Sequence, residues 1–352
     1  MDTGLRNMGS GFAPSGRPGM TGIFEQSTPS WPAPLAAVSG SMLVGFMPIL
    51  ALQLYAEGIS APSMLLWRYA LALLPLAAAM AILRLDLVAA CRAGAWRIAL
   101  TGATLGAAQT LCFWESIKTL DTSIAVLLFY TYPALTVAIE RLVFRRKVRL
   151  GAVACIAVIL FGAALIAGPG LRAGTIDPRG LAWAVPSPVF YALYLSLTST
   201  MLRHHPPLIG AGCLYLGMLA TFGAATLFLG LDMPENSATW WLLLFIGFGP
   251  GALTITLFSY SVPKLGPSSY AIIANVELVT VVAVGVLLLG ERVTASRAVG
   301  GVLIIGGILA HSLLQRRTPL PKAPSPPPGV EREGVRRGNP ESPPIPTSPC
   351  RR

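Results

Sequence analysis

Residues 96–117 read WRIALTGATLGAAQTLCFWESI, and residues 241–262 read WLLLFIGFGPGALTITLFSYSV. A single shift of 145 positions lays the first stretch on the second. Trp96 then meets Trp241, Gly102 meets Gly247, Gly106 meets Gly251, Phe113 meets Phe258 and Ser116 meets Ser261. The same shift carries on without a gap to Leu120 and Leu265, Ser123 and Ser268, Val137-Ala138 and Val282-Ala283, and Gly162 and Gly307. Two apolar segments can share Leu and Ala by chance. Shared Trp, Phe, Ser and Gly at one offset point to two homologous halves.

Working outward, the surroundings of both stretches lack charge. Pro206–Leu231 and Asn236–Pro263 carry none, and only 12% of the 352 residues are charged. A soluble domain is about 25% charged, and a bilayer span needs about 20 mostly apolar residues. The chain therefore reads as an all-α integral membrane protein with ten transmembrane helices arranged as two inverted five-helix repeats. The expected spans are 31–55, 60–83, 96–117, 122–143 and 150–168, then 181–202, 208–229, 238–262, 267–289 and 298–314. Residues 1–30 and 316–352 read as a polar arm and a Pro-rich tail without structure. Residues 31–168 and 181–315 are the repeats, and 169–180 is the linker.

Five spans per half is an odd number, so the second half enters the membrane upside down. Basic residues set the orientation. Arg6, Arg17, Arg84, Arg92, Arg97, Arg141, Arg145, Arg146, Lys147, Arg149, Arg203 and Lys264 fall on the side of the termini; Lys118, Arg172, Arg179, Arg292 and Arg297 fall opposite. The excess places both termini in the cytoplasm and the protein in the inner (plasma) membrane. The net charge of +11 is absorbed by this pattern, so no nucleic-acid partner is expected. The lipid bilayer and a small-molecule substrate are the partners implied, and nothing indicates an oligomeric state. Cys91, Cys112, Cys155, Cys213 and Cys350 show no CxxC or Cys/His spacing, so no metal site, disulfide frame or cofactor is expected.

The residues resemble the drug/metabolite transporter superfamily, in its EamA-like branch of ten-span carriers. In that family each half tends toward a small-residue helix, a Pro, an apolar run closing on Gly-Glu-Arg, and a Gly-rich last helix. The second half here carries Asn275-Val276-Glu277-Leu278, Leu287-Leu288-Leu289-Gly290-Glu291-Arg292, Gly300-Gly301 and Gly306-Gly307; the first carries Tyr132-Pro133 and Gly162. The family's Glu-Pro is Glu277-Leu278 here, and its Glu closing the fourth span is Arg146. The resemblance implies a secondary transporter, commonly an exporter of amino acids or related metabolites, working by alternating access. A nucleotide-type metabolite exchanger shares the fold. An intramembrane enzyme would need motifs such as HExxH or GxSxG, which the sequence lacks.

Within this frame Glu277 is the first candidate site residue. It lies about ten residues into its span, near the membrane centre at about 1.5 Å per residue, where an ionisable group is costly and marks function. It suits a proton carrier or a partner for a substrate amine, which makes protons a candidate coupling ion. Asn275 lies about 200° away around the helix and reads equally as interhelical glue. Arg68 sits inside the second span and cannot shed its proton; its fork suits a substrate carboxylate, with an internal ion pair as the other reading. Tyr130, Tyr132, Tyr191, Tyr194 and Trp114 are candidates to stack on a substrate or to pack the core. Gly102, Gly106, Gly247 and Gly251 have the spacing for close helix packing. Glu140 is expected at the interface with Arg141 or Arg145, and Glu115 with Lys118 as a surface pair. Pro133, Pro186 and Pro188 are expected to interrupt helices.

Overall fold

The computed structural model describes residues 33–120, 122–145, 150–171, 177–289 and 294–316. The expected arm, the tail beyond residue 316, most of the basic loop 145–149 and the middle of the linker lie outside these. All regular structure among the described residues is helical. In chain order the helices are α1 (Ala33–Ala56), α2 (Ala61–Ile82), α3 (96–116), and α4, built of Thr122–Phe129 and Tyr132–Leu142. Then follow α5 (Leu150–Leu171), α6 (Pro178–His204), α7 (Pro207–Leu229) and α8 (Ser237–Leu265). The last are α9, built of Pro267–Ala274 and Val276–Leu289, and α10 (Ala295–Arg316).

Seven of the described helices are long and apolar enough to cross a membrane: α1, α2, α4, α6, α7, α8 and α9. The apolar stretches of α5 and α10, Leu150–Ile166 and Ala298–Leu314, are shorter, and α3 is assembled from three pieces. The outer surface is apolar, with Leu227 86% and Phe228 89% exposed. A face of that kind is stable only against lipid or another protein.

The spans are less regular than the sequence reading expects. α1, α4 and α6 each restart at a proline in the first helical turn, Pro48, Pro133 and Pro186. Proline lacks the N–H that would continue the ladder and clashes with the preceding turn. α9 breaks at Asn275 without a proline: the side-chain amide donates to the carbonyls of Ala271 (2.7 Å) and Ile272 (3.3 Å) instead.

The repeat extends to local irregularity. α3 is π-helical over Gly102–Gly106 and α8 over Gly247–Leu253, and the 145-residue shift maps Gly102 and Gly106 onto Gly247 and Gly251. Both segments are crossing points. A Cβ on Gly102 would strike the backbone carbonyl of Leu214 on α7, and one on Gly217 of α7 would strike the backbone of Ala99 and Ala103 on α3. In the other half, a Cβ on Gly247 would lie 2.6 Å from Cβ of Leu71 on α2. Small residues let backbones meet in a membrane, where packing rather than hydrophobicity drives association.

These crossings join one repeat to the other. α2 packs on α7 and α8, α3 on α6 and α7, and α1 on α8 and α9. α5 lies against α10 through Gly162 and Gly300. The halves therefore interlock, with a space between them. The chain's alternation gives the bundle a basic end, bearing Arg84, Arg92, Arg97, Arg141, Arg203 and Lys264, and an opposite end, bearing Glu57, Asp232 and Glu235.

Candidate functional site

The space between the repeats is a cavity of about 210 Å³, to which α1–α4 and α6–α9 all contribute. Arg68 and Glu277 are its ionisable lining groups. Arg68 is the eighth residue of α2, entering from the opposite end; Glu277 is the eleventh of α9, entering from the basic end. At about 1.5 Å per residue both lie well inside the bundle.

The local breaks put them there. A Cβ on Gly45, at the kink of α1, would lie 2.7 Å from Cβ of Thr280 and 3.0 Å from the carbonyl oxygen of Glu277. The kinked segment therefore abuts α9 and fixes the turn that carries the acid. Arg68 is held by two aromatic neighbours. Its guanidinium carbon lies 5.7 Å from the Tyr69 ring centroid. Its side chain interacts electrostatically with that of Tyr215 on α7, whose hydroxyl donates to the carbonyl of Gly251 (3.2 Å) in the π segment of α8. Nε of Arg68 is buried and has no hydrogen-bond partner among the described residues. A buried donor left unpaired is costly, so an oxygen ligand at that place would relieve the cost.

The Glu277 carboxyl interacts electrostatically with the side chains of Arg68 and Tyr130. The acid and the arginine make no direct ion pair among the described residues. An arginine and a carboxyl group thus face one small cavity without direct contact between them. Around them runs a belt of rings: Tyr191 stacks on Tyr194 at 6.2 Å, Tyr194 on Phe258 at 5.7 Å, and Phe258 meets Tyr270 edge-on at 5.2 Å. Phe129 adds contacts to Tyr130 at 5.9 Å and Tyr191 at 5.4 Å.

Of the residues singled out from sequence, Glu277, Arg68, Tyr130, Tyr191, Tyr194 and Trp114 line the cavity. Tyr132 and Asn275 do not. Tyr132 is 1% exposed, and its hydroxyl donates to the Ala271 carbonyl (3.2 Å), tying α4 to α9 behind the cavity. Asn275 is fully buried at the break of α9. Tyr69, Gln109, Thr110, Tyr215, Phe258 and Tyr270 line the cavity without having been singled out. The Tyr215 hydroxyl on Arg68 is the most consequential of these, and its only signal in the sequence is a polar atom in a charge-free span.

Two polar clusters flank the cavity along the bundle axis. At the opposite end, the N–H of Ser60 donates to the Asp232 carboxylate (2.8 Å), the Asp232 N–H to the Ser63 hydroxyl (3.0 Å), and Asn236 to Glu57 (2.9 Å). These bonds, the Ser60 side-chain contact first, hold the Asp232 carboxyl below the usual carboxylate range. Lys118 and Glu115 form the surface pair at 2.6 Å. At the basic end, Glu140, expected at the interface with Arg141 or Arg145, is 7% exposed, and its carboxylate accepts from the N–H of Ser268 (3.2 Å) and from the Ser268 hydroxyl. The reason lies in α9, which needs a cap that its own preceding residues do not supply.

The EamA-like transporter family matches residues 31–168 and again residues 178–313. The two matches cover α1–α5 and α6–α10, one per repeat. A solved structure, described only as the crystal structure of a protein, is similar with a TM-score of 0.67 at 17% identity, over 81% of this chain and 98% of that one. At that identity the likeness speaks for the fold alone. No curated protein matches the sequence.

Proposed function

The chain belongs to the EamA-like transporter family, a family of multi-pass membrane carriers of small molecules, and on that premise we propose that it carries a zwitterionic metabolite of the amino-acid class by alternating access. The observation that carries this reading is the pairing of Arg68 and Glu277 across one small cavity. The Arg68 fork takes the carboxylate of the cargo, Glu277 takes its ammonium, and the Tyr and Phe rings take its side chain. A cavity of about 210 Å³ falls below the roughly 300–1,000 Å³ of clefts for drug-sized ligands. That favours one small metabolite over a nucleotide.

All ten helices cross the inner (plasma) membrane, with both termini and the basic end in the cytoplasm, and the working direction is efflux. Glu277 is the coupling group: it releases its proton when the cargo ammonium binds and takes one up when the cargo leaves. Inverted repeats supply the motion, since two similar halves in opposite orientation can trade conformations and move the cavity's opening from one face to the other.

The test is uptake into liposomes holding the purified protein, with labelled amino acids, their amine and acid analogues, and nucleotide-type metabolites, with and without an imposed pH gradient. Saturable, gradient-stimulated uptake of an amino acid is expected. Uptake of nucleotide-type compounds alone, or of nothing in the panel, would overturn the assignment.

A further inference from the structure

We propose that Glu140 is the latch that closes the basic end of the cavity, and that the position repeating it carries no side chain to latch the opposite end in the same way. The inference rests on the alternating-access reading above.

α9 begins Gly266-Pro267-Ser268. Gly266, at the N-cap with φ +80°, has no side chain to cap the helix, and Pro267 has no N–H. Ser268 therefore carries the first N–H of α9 that needs a partner, and its neighbours supply none. Glu140 supplies it from another helix and from the other repeat. Its carboxylate accepts both the N–H and the hydroxyl of Ser268. A carboxylate at a helix N-terminus is favoured by the free N–H groups and by the helix dipole. Buried as it is, the contact is not screened as a surface pair would be.

The position matters. From Ser268 the chain climbs α9 to Tyr270, which lines the cavity in ring contact with Phe258, itself stacked on Tyr194. The latch lies before Tyr270 on α9, toward the basic end, and joins α4 of the first repeat to α9 of the second. Opening the cavity to the basic end requires these two helices to part, and parting them strips α9 of its cap.

Inverted repeats would ordinarily place an equivalent at the other end. Here the residue that repeats Glu140 is Gly285, which has no side chain to accept from Ser123, the residue that repeats Ser268. Among the described residues, the clasps at the opposite end, Asp232 with Ser60 and Asn236 with Glu57, join the α1–α2 connection to the α7–α8 connection rather than α4 to α9. The resting state is therefore biased toward closure at the basic end.

The experiment is directional accessibility of the intact protein in sealed vesicles. A reporter cysteine replaces Ala274, which lines the cavity, in a background whose native cysteines are changed to alanine. A membrane-impermeant maleimide is added from one face or the other. In the parent, labelling proceeds from the face opposite the basic end. Glu140→Ala is expected to raise the rate from the basic face roughly tenfold or more, the loss of a charge-assisted hydrogen bond, and to lower it from the other face. Ser268→Ala, which keeps the N–H bond, is expected to give a smaller shift in the same direction, and it serves if Glu140→Ala does not fold. Unchanged rates in both variants, or equal increases from both faces, would overturn the latch. The readout needs no cargo, so a wrong cargo leaves the latch result standing, and uptake with unchanged labelling would sink the latch alone.

Discussion

Gly217→Ala should destabilise the protein, although glycine-to-alanine changes inside helices ordinarily stabilise. Alanine is favoured over glycine in a helix by about 0.8–1 kcal/mol. At Gly217 the added Cβ would fall on the Ala99 carbonyl and the Ala103 amide of α3. These are backbone atoms and cannot turn aside, so α3 and α7 must separate. Overpacking costs about 1–3 kcal/mol, and rigid neighbours put this site at the upper end. Separation also lengthens the hydrogen bond from the Thr221 hydroxyl to the Ala103 carbonyl, now 2.7 Å, worth about 0.6 kcal/mol between membrane helices. A loss of about 3.6 kcal/mol against a gain of about 1 leaves the variant about 2–3 kcal/mol less stable. Gly306 of α10 is the control: a Cβ there meets nothing within 4 Å, so Gly306→Ala should gain up to about 1 kcal/mol. Reversible unfolding in mixed micelles, followed by circular dichroism, measures both. Equal stability of the two variants would refute the reasoning that α3 and α7 meet backbone to backbone.

Three further outcomes follow from the same structure. Tyr215→Phe keeps the edge contact to Tyr69 at 4.8 Å but removes the hydroxyl on Arg68; KM for a carboxylate-bearing cargo should rise about tenfold, while uptake of the matching amine stays unchanged. Glu277→Gln should abolish pH-driven flux in liposomes and leave cargo exchange running; persistence of the gradient effect would remove Glu277 as the coupling group. The Asp232 carboxyl has a folded pKa lowered from 3.8, so its stabilisation is complete above that value and is lost as pH falls through the lowered one. Thermal melts should show a constant gap between the parent and Asp232→Ala from pH 5 to 7, closing only in strong acid.

The two-repeat fold was legible because Gly102, Gly106, Phe113 and Ser116 recur at one offset, and close helix crossings tolerate few residues. The π geometry at those glycines was not legible, since one extra residue in a turn leaves no compositional mark. Arg68 and Glu277 stood out because charge is costly in a bilayer. Tyr132 and Asn275 each carried two readings, and the packing one describes their place: both lie outside the cavity. The rule of about 100° per residue holds only along an unbroken helix, and α4 restarts at Thr131-Tyr132 while α9 breaks at Asn275. The Ser268 partner of Glu140 lies 128 residues away, beyond the reach of a reading from sequence neighbours. Tyr215 and Tyr270 carry hydroxyls in otherwise apolar runs, and only the packing reveals that both face the cavity.

The central claim is that Arg68 and Glu277 hold the two ends of a zwitterion, and the measurement that tests it most directly is analogue selectivity. Uptake of an amino acid, of its decarboxylated amine and of its des-amino acid would be compared in liposomes bearing the parent, Arg68→Gln or Glu277→Gln. The account predicts that the parent prefers the zwitterion, that Arg68→Gln loses its preference for the zwitterion over the amine, and that Glu277→Gln loses its preference over the des-amino acid. Each loss should be roughly thirtyfold or more, as for removal of one partner of a buried charge pair. Variants that discriminate among the three compounds as the parent does would contradict it.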